Sequence, residues 1–483
     1  MIDRELNRLA LLFLAGFALV ALSTAFWGVV ERDDMFARDD NPRRVLDELN
    51  VQRGTIFDRD EAILAYTEPT QNEAAGAQRF YPHPEVVTAI GHYSYQFGLA
   101  GLEEGYDDLL RAEGLRDAQT EMSDALMNRY VVGGDLRSTL DLDVQRTLFS
   151  AMDGHSGAAI IAHVPSGDVL AMVSLPTYDP NREDLLQMLV DEDATQTPIE
   201  LPPDSQLLNR VTSGQYQPGG ALQTLLFSTL LAGGVDPEER VSADDLTLAQ
   251  PTLTLTCALP RDDSGSLSLA EAYRRGCPAP FVEAVGESLS REAVEEKFNA
   301  SGLHSAAQLG GFVLPENPPL VFGLPFDDAG LAAAIAGQGS LTVNPLHMVQ
   351  VIAAVVNEGV GIPLHLGDAT RYPPDAEWVE VRPPTARPAV MQASSAAVIR
   401  AALMEQNFGD ETPVYGHLSV ALAGERNYIW FLGWTPSDEG AIVIALVLEY
   451  EPGNGMSPQA ALDVAIPALE AAADSYSLQM NAQ

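Results

Sequence analysis

Residues 9–30 read LALLFLAGFALVALSTAFWGVV, a run without a charged side chain that is long enough to cross a bilayer as a helix. Beyond it the apolar positions fall into shorter, periodic pieces. Residues 135–152 (DLRSTLDLDVQRTLFSAM) predict a short strand, a turn at Asp141 and an amphipathic helix carrying Leu142, Val144, Leu148 and Met152. Residues 156–181 (SGAAIIAHVPSGDVLAMVSLPTYDPN) predict two apolar strands around the turn residues Pro165, Ser166, Gly167 and Asp168. In residues 336–360 (AGQGSLTVNPLHMVQVIAAVVNEGV), Gly337 and Gly339 allow a tight turn. Pro345 there suits a first helical turn, and a buried helix follows to Val356. Residues 427–436 (NYIWFLGWTP) and 441–450 (AIVIALVLEY) read as two strands joined by a turn at 437–440. The second is apolar from Ala441 to Leu448, the pattern of a central strand covered on both faces. An alanine-rich helix over 458–473 is expected to pack back on that sheet, and no internal repeat or low-complexity stretch interrupts the order.

Charge changes the picture at the N-terminus. Arg4 and Arg8 precede the apolar run, and Glu31, Asp33 and Asp34 follow it, so the positive-inside bias places residues 1–8 in the cytoplasm and the bulk of the chain outside the cell membrane. A cleaved signal peptide, with Ala21, Leu22 and Ser23 as a poor cleavage site, is the competing reading of the same run. Over the whole 483 residues, 68 acidic side chains stand against 27 basic ones, a formal net charge of −41, which argues against nucleic acid and against anionic lipid surfaces as partners. The bland account of that acidity is a solvated, self-repelling surface. At 46% hydrophobic and 20% charged residues the chain is of ordinary globular composition, and its length allows about three domains.

Candidate chemistry is sparse. The eight histidines (His83, His92, His155, His163, His304, His347, His365 and His417) show no metal-ligand spacing, and no phosphate loop or dinucleotide fingerprint occurs, so neither cofactor nor metal is expected. Cys257 and Cys277 are the two cysteines; in an exported chain they can pair, and two buried reduced thiols fit the sequence equally well. Lys297 is the single lysine, at a charged helix end where a surface role is the simple reading.

Several stretches resemble the class B penicillin-binding proteins. VQRGTIFDRDEAILA (51–65) is similar to the family's R-G-x-I-x-D-R-x-G-x-x-L-A segment, with Glu61 where a turn glycine is usual. YPHPEVVTAIGHYSYQFGLAGLEEGYDDLL (81–110) is similar to its Y-P…G-x-x-G-L-E segment through Gly98, Gly101, Leu102 and Glu103. The T-x-D-x-x-x-Q linker, the Y-D-P-N stretch at 178–181 and the G-Q-G-x-x-x-x-P-L-x-M helix leader follow in family order. The resemblance implies an α+β fold: a serine β-lactamase/transpeptidase-like domain, an antiparallel sheet flanked by helices, after a small N-terminal domain and one transmembrane helix. The implied division is a cytoplasmic N-terminus (1–8), a transmembrane anchor (9–30), a juxtamembrane spacer (31–50), a pedestal or interaction region (51–153), the transpeptidase-like domain (154–476) and a tail (477–483).

The family's D,D-transpeptidase chemistry needs S-x-x-K, S-x-N and K-[ST]-G motifs, and the resemblance places them on residues that cannot perform it. In NRVTSGQYQPGGALQTLLFSTLLAGG (209–234) the nucleophile position is Gly220 and the base position Gln223. Gly220 has no oxygen to acylate and Gln223 is a neutral amide. In LAEAYRRGCPAPFVEAV (269–285) the second motif falls on Gly276, Cys277 and Pro278. In SVALAGERNYIWFLG (419–433) the third falls on Leu422, Ala423 and Gly424, ahead of an insert shortened to about Glu425 and Arg426. No S-x-x-K exists elsewhere, because the residue three before Lys297 is Val294. The expectation is a membrane-anchored pseudoenzyme with no catalytic residues, a binding, scaffold or regulatory component of peptidoglycan synthesis or division. Its expected partners are cell-envelope proteins and peptidoglycan precursor. An active D,D-transpeptidase and a noncovalent muropeptide or β-lactam sensor are the alternatives.

Overall fold

The structure is a computed structural model that describes residues 2–26, 51–69, 77–94, 98–127, 129–182, 204–249, 252–260, 266–284, 288–303, 307–314, 327–382, 387–422, 426–453 and 457–480. The N-terminal helix α1 (Ile2–Ala25) takes in Asp3, Arg4, Glu5 and Arg8 as well as the apolar run. Among the described residues no helix is long and apolar enough to cross a membrane, so the span expected over 9–30 is not shown. Residues 27–30 and the expected spacer 31–50 lie outside the described residues.

The chain then enters a six-stranded sheet through β1 (Ile56–Phe57), β2 (Ile63–Pro69), β3 (Ala77–Phe80) and β4 (Asp135–Ser138). Its other two strands, Gly367–Arg371 and Val379–Glu380, come from inside the stretch assigned to the transpeptidase-like domain, with Gly367–Arg371 pairing antiparallel to β4. The pedestal is therefore closed by a late return of the chain, and a cut at residue 153 does not separate two sheets. Between β1 and β2, Asp58 Oδ1 accepts from the amides of Asp60 and Ala62, and Glu61 sits at φ 64°, in the left-handed region that explains why a glycine is usual there.

The pedestal's centre is ionic. Glu103, fully buried, accepts from Arg53 Nε at 3.0 Å and Arg79 Nε at 2.7 Å, and Arg79 Nη1 reaches the carbonyl of Gly54 at 2.6 Å. Burial alone would raise the Glu103 carboxyl, but the guanidiniums of Arg79 and Arg53 outweigh it and hold the group below its ordinary range.

A second, five-stranded sheet carries the larger domain. The helix α2 (Leu142–Ala151) starts at Asp141, whose Oδ1 caps the amides of Asp143 and Val144. β5 (Ser156–Val164) and β6 (Val169–Leu175) follow as the expected hairpin. Helix α3 (Gln223–Ala232) ends at Gly233, α4 (Leu269–Arg274) is short, and α5 (Pro345–Val356) begins at its proline behind an Asn344 cap. β7 (Tyr415–Ala421), β8 (Asn427–Ser437) and β9 (Gly440–Tyr450) complete the order β6-β5-β9-β8-β7. The last helix, α6 (Gln459–Met480), outruns its expected end at 473 and takes in part of the expected tail.

β9 explains the uniform apolarity of its sequence. Val443, Ala445 and Val447 join one buried cluster with Val349, Ile352 and Val355 of α5. Ile442, Ile444, Leu446 and Leu448 join a second with Val144 and Leu148 of α2 and Val464, Ala468 and Leu469 of α6. Period-two alternation persists, but both faces are covered, so both sets are apolar.

At the β5–β6 turn, His365 Nε2 lies 3.0 Å from Asp168 Oδ1, while Ser166 Oγ donates to Asp168 Oδ2 at 2.8 Å and the Tyr476 hydroxyl donates to the same oxygen at 3.1 Å. Burial opposes both charges. The hydrogen bond with Asp168 nevertheless raises His365 above its ordinary value of 6.5, and the His365 and Ser166 contacts bring Asp168 down to about 2.

Both polar sites yield expected outcomes for urea denaturation. Glu103→Gln leaves the buried Arg79 without its carboxylate and Arg53 with Asp107 alone, and should cost about 3–5 kcal/mol. For the turn, the raised His365 contributes stability that is complete below its unfolded value and lost as pH rises through its folded one. Asp168, being depressed, contributes stability present above its unfolded value and lost as pH falls toward about 2. His365→Gln should accordingly flatten the fall in unfolding free energy as pH rises past the ordinary histidine value of 6.5; an unchanged pH profile would rule out that coupling.

Candidate functional site

Three backbone segments meet at the free side of β7. The first is the turn Gly219–Leu222 that leads into α3. Gly219 has φ 51°, donates its amide to Gly337 O at 2.9 Å, and lies so close to β7 that a Cβ on it would stand 2.2 Å from Val420 O. Gly337, at φ 68°, is pressed equally hard, its Cβ position being 2.2 Å from Gly219 O. These two glycines are demanded by close approach and by positive φ together. The paired amides of Tyr216 and Val343, at 3.0 and 2.8 Å, hold the two loops in register.

Next along the turn, Gly220 presents bare backbone to the strand, and its carbonyl accepts from His417 Nε2 at 3.0 Å. Gln223, one helical turn on, is buried with its Oε1 unpartnered among the described residues. The side chains of β7 that face these positions are His417 and Ser419, both fully buried. His417 lies flat on Tyr273 of α4, with ring centroids 4.6 Å apart and planes 6° apart, and Tyr273 in turn shares a 2.9 Å hydrogen bond with Thr224. Burial pushes the His417 imidazole down to about 4, so it is neutral at physiological pH, and its Nε2–H is committed to Gly220.

The second segment is the loop after α4. Gly276, at φ 66°, would place a Cβ 2.6 Å from Leu418 O. Cys277 is buried and bonded to Cys257, with Cα atoms 4.0 Å apart, and Pro278 opens the helix Ala279–Glu283. The disulfide resolves the two cysteine readings in favour of pairing and leaves no thiol at 277.

The third segment requires a change of register. Leu422 lies just beyond the end of β7, where its amide donates to Gln338 Oε1 at 2.8 Å, while Ala423 and Gly424 lie outside the described residues. The residues that meet Gly220 and Gln223 are instead His417 and Ser419. The sequence reading missed them because it assigned almost all of the missing length to the insert before β8. Counting back from Trp430 through the antiparallel pair Ser419↔Trp430 would have found them. Lys297 is removed from this chemistry: half-buried on the helix Arg291–Ala300, it donates from Nζ to Val390 O at 3.4 Å. Among the described residues no cluster of His, Cys, Asp or Glu is arranged to hold a metal ion.

A helix-leading turn, the loop after a second helix and an edge strand of an antiparallel sheet thus converge on one point. Residues 157–466 match the penicillin binding protein transpeptidase domain, and the chain belongs to that family. It is similar to the peptidoglycan D,D-transpeptidase PbpA of Mycolicibacterium smegmatis, 26% identical over 469 residues that make up 92% of this chain and 94% of that one. It is also similar to the PbpA of Mycobacterium tuberculosis, 28% identical over 380 residues, 77% of this chain and 76% of that one. Among solved structures, the imipenem acyl-enzyme complex of penicillin-binding protein A from M. tuberculosis superposes with a TM-score of 0.75 at 24% identity, covering 88% of this chain and 99% of that one. At that identity the likeness shows the fold, and it agrees with the α+β architecture described above.

Reduction offers a check on the second segment. The Cys257–Cys277 bond closes a loop with a sequence separation of 20, so breaking it should lower the unfolding free energy by about 3 kcal/mol. Thiol titration of the denatured, unreduced protein should find no free thiol.

Proposed function

We propose that this chain performs no acyl transfer and serves as a binding, scaffold or regulatory component of peptidoglycan synthesis or division. The observation that carries the reading is the pair Gly220 and Gln223: the turn and helix that would present a nucleophile and its base are built, and neither group is there. In a comparable serine system, loss of the nucleophile alone costs on the order of 10⁶ in rate. The neutral His417 does not replace the base, because its Nε2–H points at a carbonyl and burial, which brings the ring down to about 4, leaves Nδ1 too weakly basic. The Arg53, Arg79 and Glu103 brace supports a pedestal through which cell-envelope proteins dock, over residues 51–110. Leu11, Leu12, Phe13, Leu14, Phe17, Leu19 and Leu22, each 63–74% exposed on α1, attach the N-terminus to a membrane, with the bulk of the chain on its outer side.

One observation favours a second reading, an active D,D-transpeptidase: the relatives at 26% and 28% identity carry that name. A fluorescent penicillin separates the two. The purified chain should show no covalent band after denaturing electrophoresis, alongside a labelled penicillin-binding protein as control; a band released by hydroxylamine would sink the pseudoenzyme reading. Saturable heat of binding with a muropeptide, without mass change, would favour a noncovalent sensor instead.

A further inference from the structure

We infer that the catalytic centre is not a vacated pocket but a packed contact, closed by an exchange of side chains between turn and strand in which Ser419 fills the volume that a side chain at position 220 would need. Built on the existing backbone, a Cβ at Gly220 would lie 2.8 Å from Ser419 Cβ, nearer than real Cβ atoms come. The other close atom, Gln223 Nε2 at 3.1 Å, is the end of a flexible side chain and can move aside. Ser419 Cβ cannot, because it is fixed to a strand paired along its whole length with β8.

The backbone itself does not ask for glycine at 220. Gly219, Gly276 and Gly337 all have positive φ, whereas Gly220 lies outside that region, so any L-residue could adopt its conformation. What excludes a side chain there is the neighbour across the gap. Ser419 is not held by hydrogen bonding, since its buried Oγ has no partner among the described residues. Its contribution is bulk.

The rest of the strand's outer side is closed by the same kind of contact. Val420 O lies under Gly219, Leu418 O under Gly276, and the Leu422 amide is taken by Gln338. Among the described residues, a small acyl donor, a β-lactam or an acyl peptide, therefore meets Ser419 at residue 220 and close backbone contacts along the strand beside it. This functional consequence rests on the proposed loss of chemistry; the geometry does not.

The test is a double-mutant cycle on the disulfide-bonded full chain, read by thermal midpoint. Gly220→Ala should lower the midpoint by several degrees in the wild-type background. In a Ser419→Gly background the same change should leave it unaltered or raise it, because alanine on an unstrained backbone restricts the unfolded chain. The same shift in both backgrounds would overturn the exchange. If Gly220→Ala alone fails to fold, a folded Gly220→Ala/Ser419→Gly protein supports the inference and an unfolded one overturns it. A penicillin band on the wild-type protein would refute the proposed function and leave the cycle's outcome unaffected.

Discussion

β9 is paired on both edges and covered on both faces, and the site depends on the position this gives it. Its ladder to β8 runs from Asn427↔Tyr450 to Ser437↔Gly440 without a break, so β8 has no freedom of register. β8 then sets β7 through Ser419↔Trp430, and that pairing decides which two side chains look at the turn Gly219–Leu222. A slip of one residue would turn His417 and Ser419 away and bring Leu418 and Val420 round. Which residues stand opposite that turn is thus fixed by hydrophobic burial two strands away.

That chain of dependence also explains what could be read in advance. The apolar runs at 156–175 and 427–450, the proline that opens α5 and the Asp141 cap are local signals, and each element appears where its residues put it. The turn at Gly219–Leu222 and the loop at Gly276 are marked in the sequence by the motif residues that flank them. His417 and Ser419 are not, because their place depends on how many residues the β7–β8 connection holds, and no local pattern records that. Likewise the return of Gly367–Arg371 to the pedestal sheet is a non-local pairing with β4, which periodicity cannot reveal.

The preference for arginine over lysine gains a structural meaning in the buried polar sites. Arg210, wholly buried, donates to Glu449 Oε1 at 3.3 Å and to the carbonyls of Pro176, Ser205 and Leu208 at 3.1–3.4 Å, while the Tyr216 hydroxyl takes the same carboxylate oxygen at 2.8 Å. A planar fork with five donors can satisfy such a set, and a lysine ammonium on a flexible stem fits it poorly. Arg53 and Arg79 do the same around Glu103. The basic residues of this acidic chain thus work partly as internal struts.

The approach of Gly220 to Ser419 limits how the chain can vary. A codon change that placed a hydroxyl-bearing side chain at position 220 would collide with the strand, and its carrier would be less stable. One that placed an amine at 223 would bury a charge where the neutral amide of Gln223 now sits. Each single substitution is unfavourable on its own, so the contact ties positions 220 and 419 together and lets neither change size without the other.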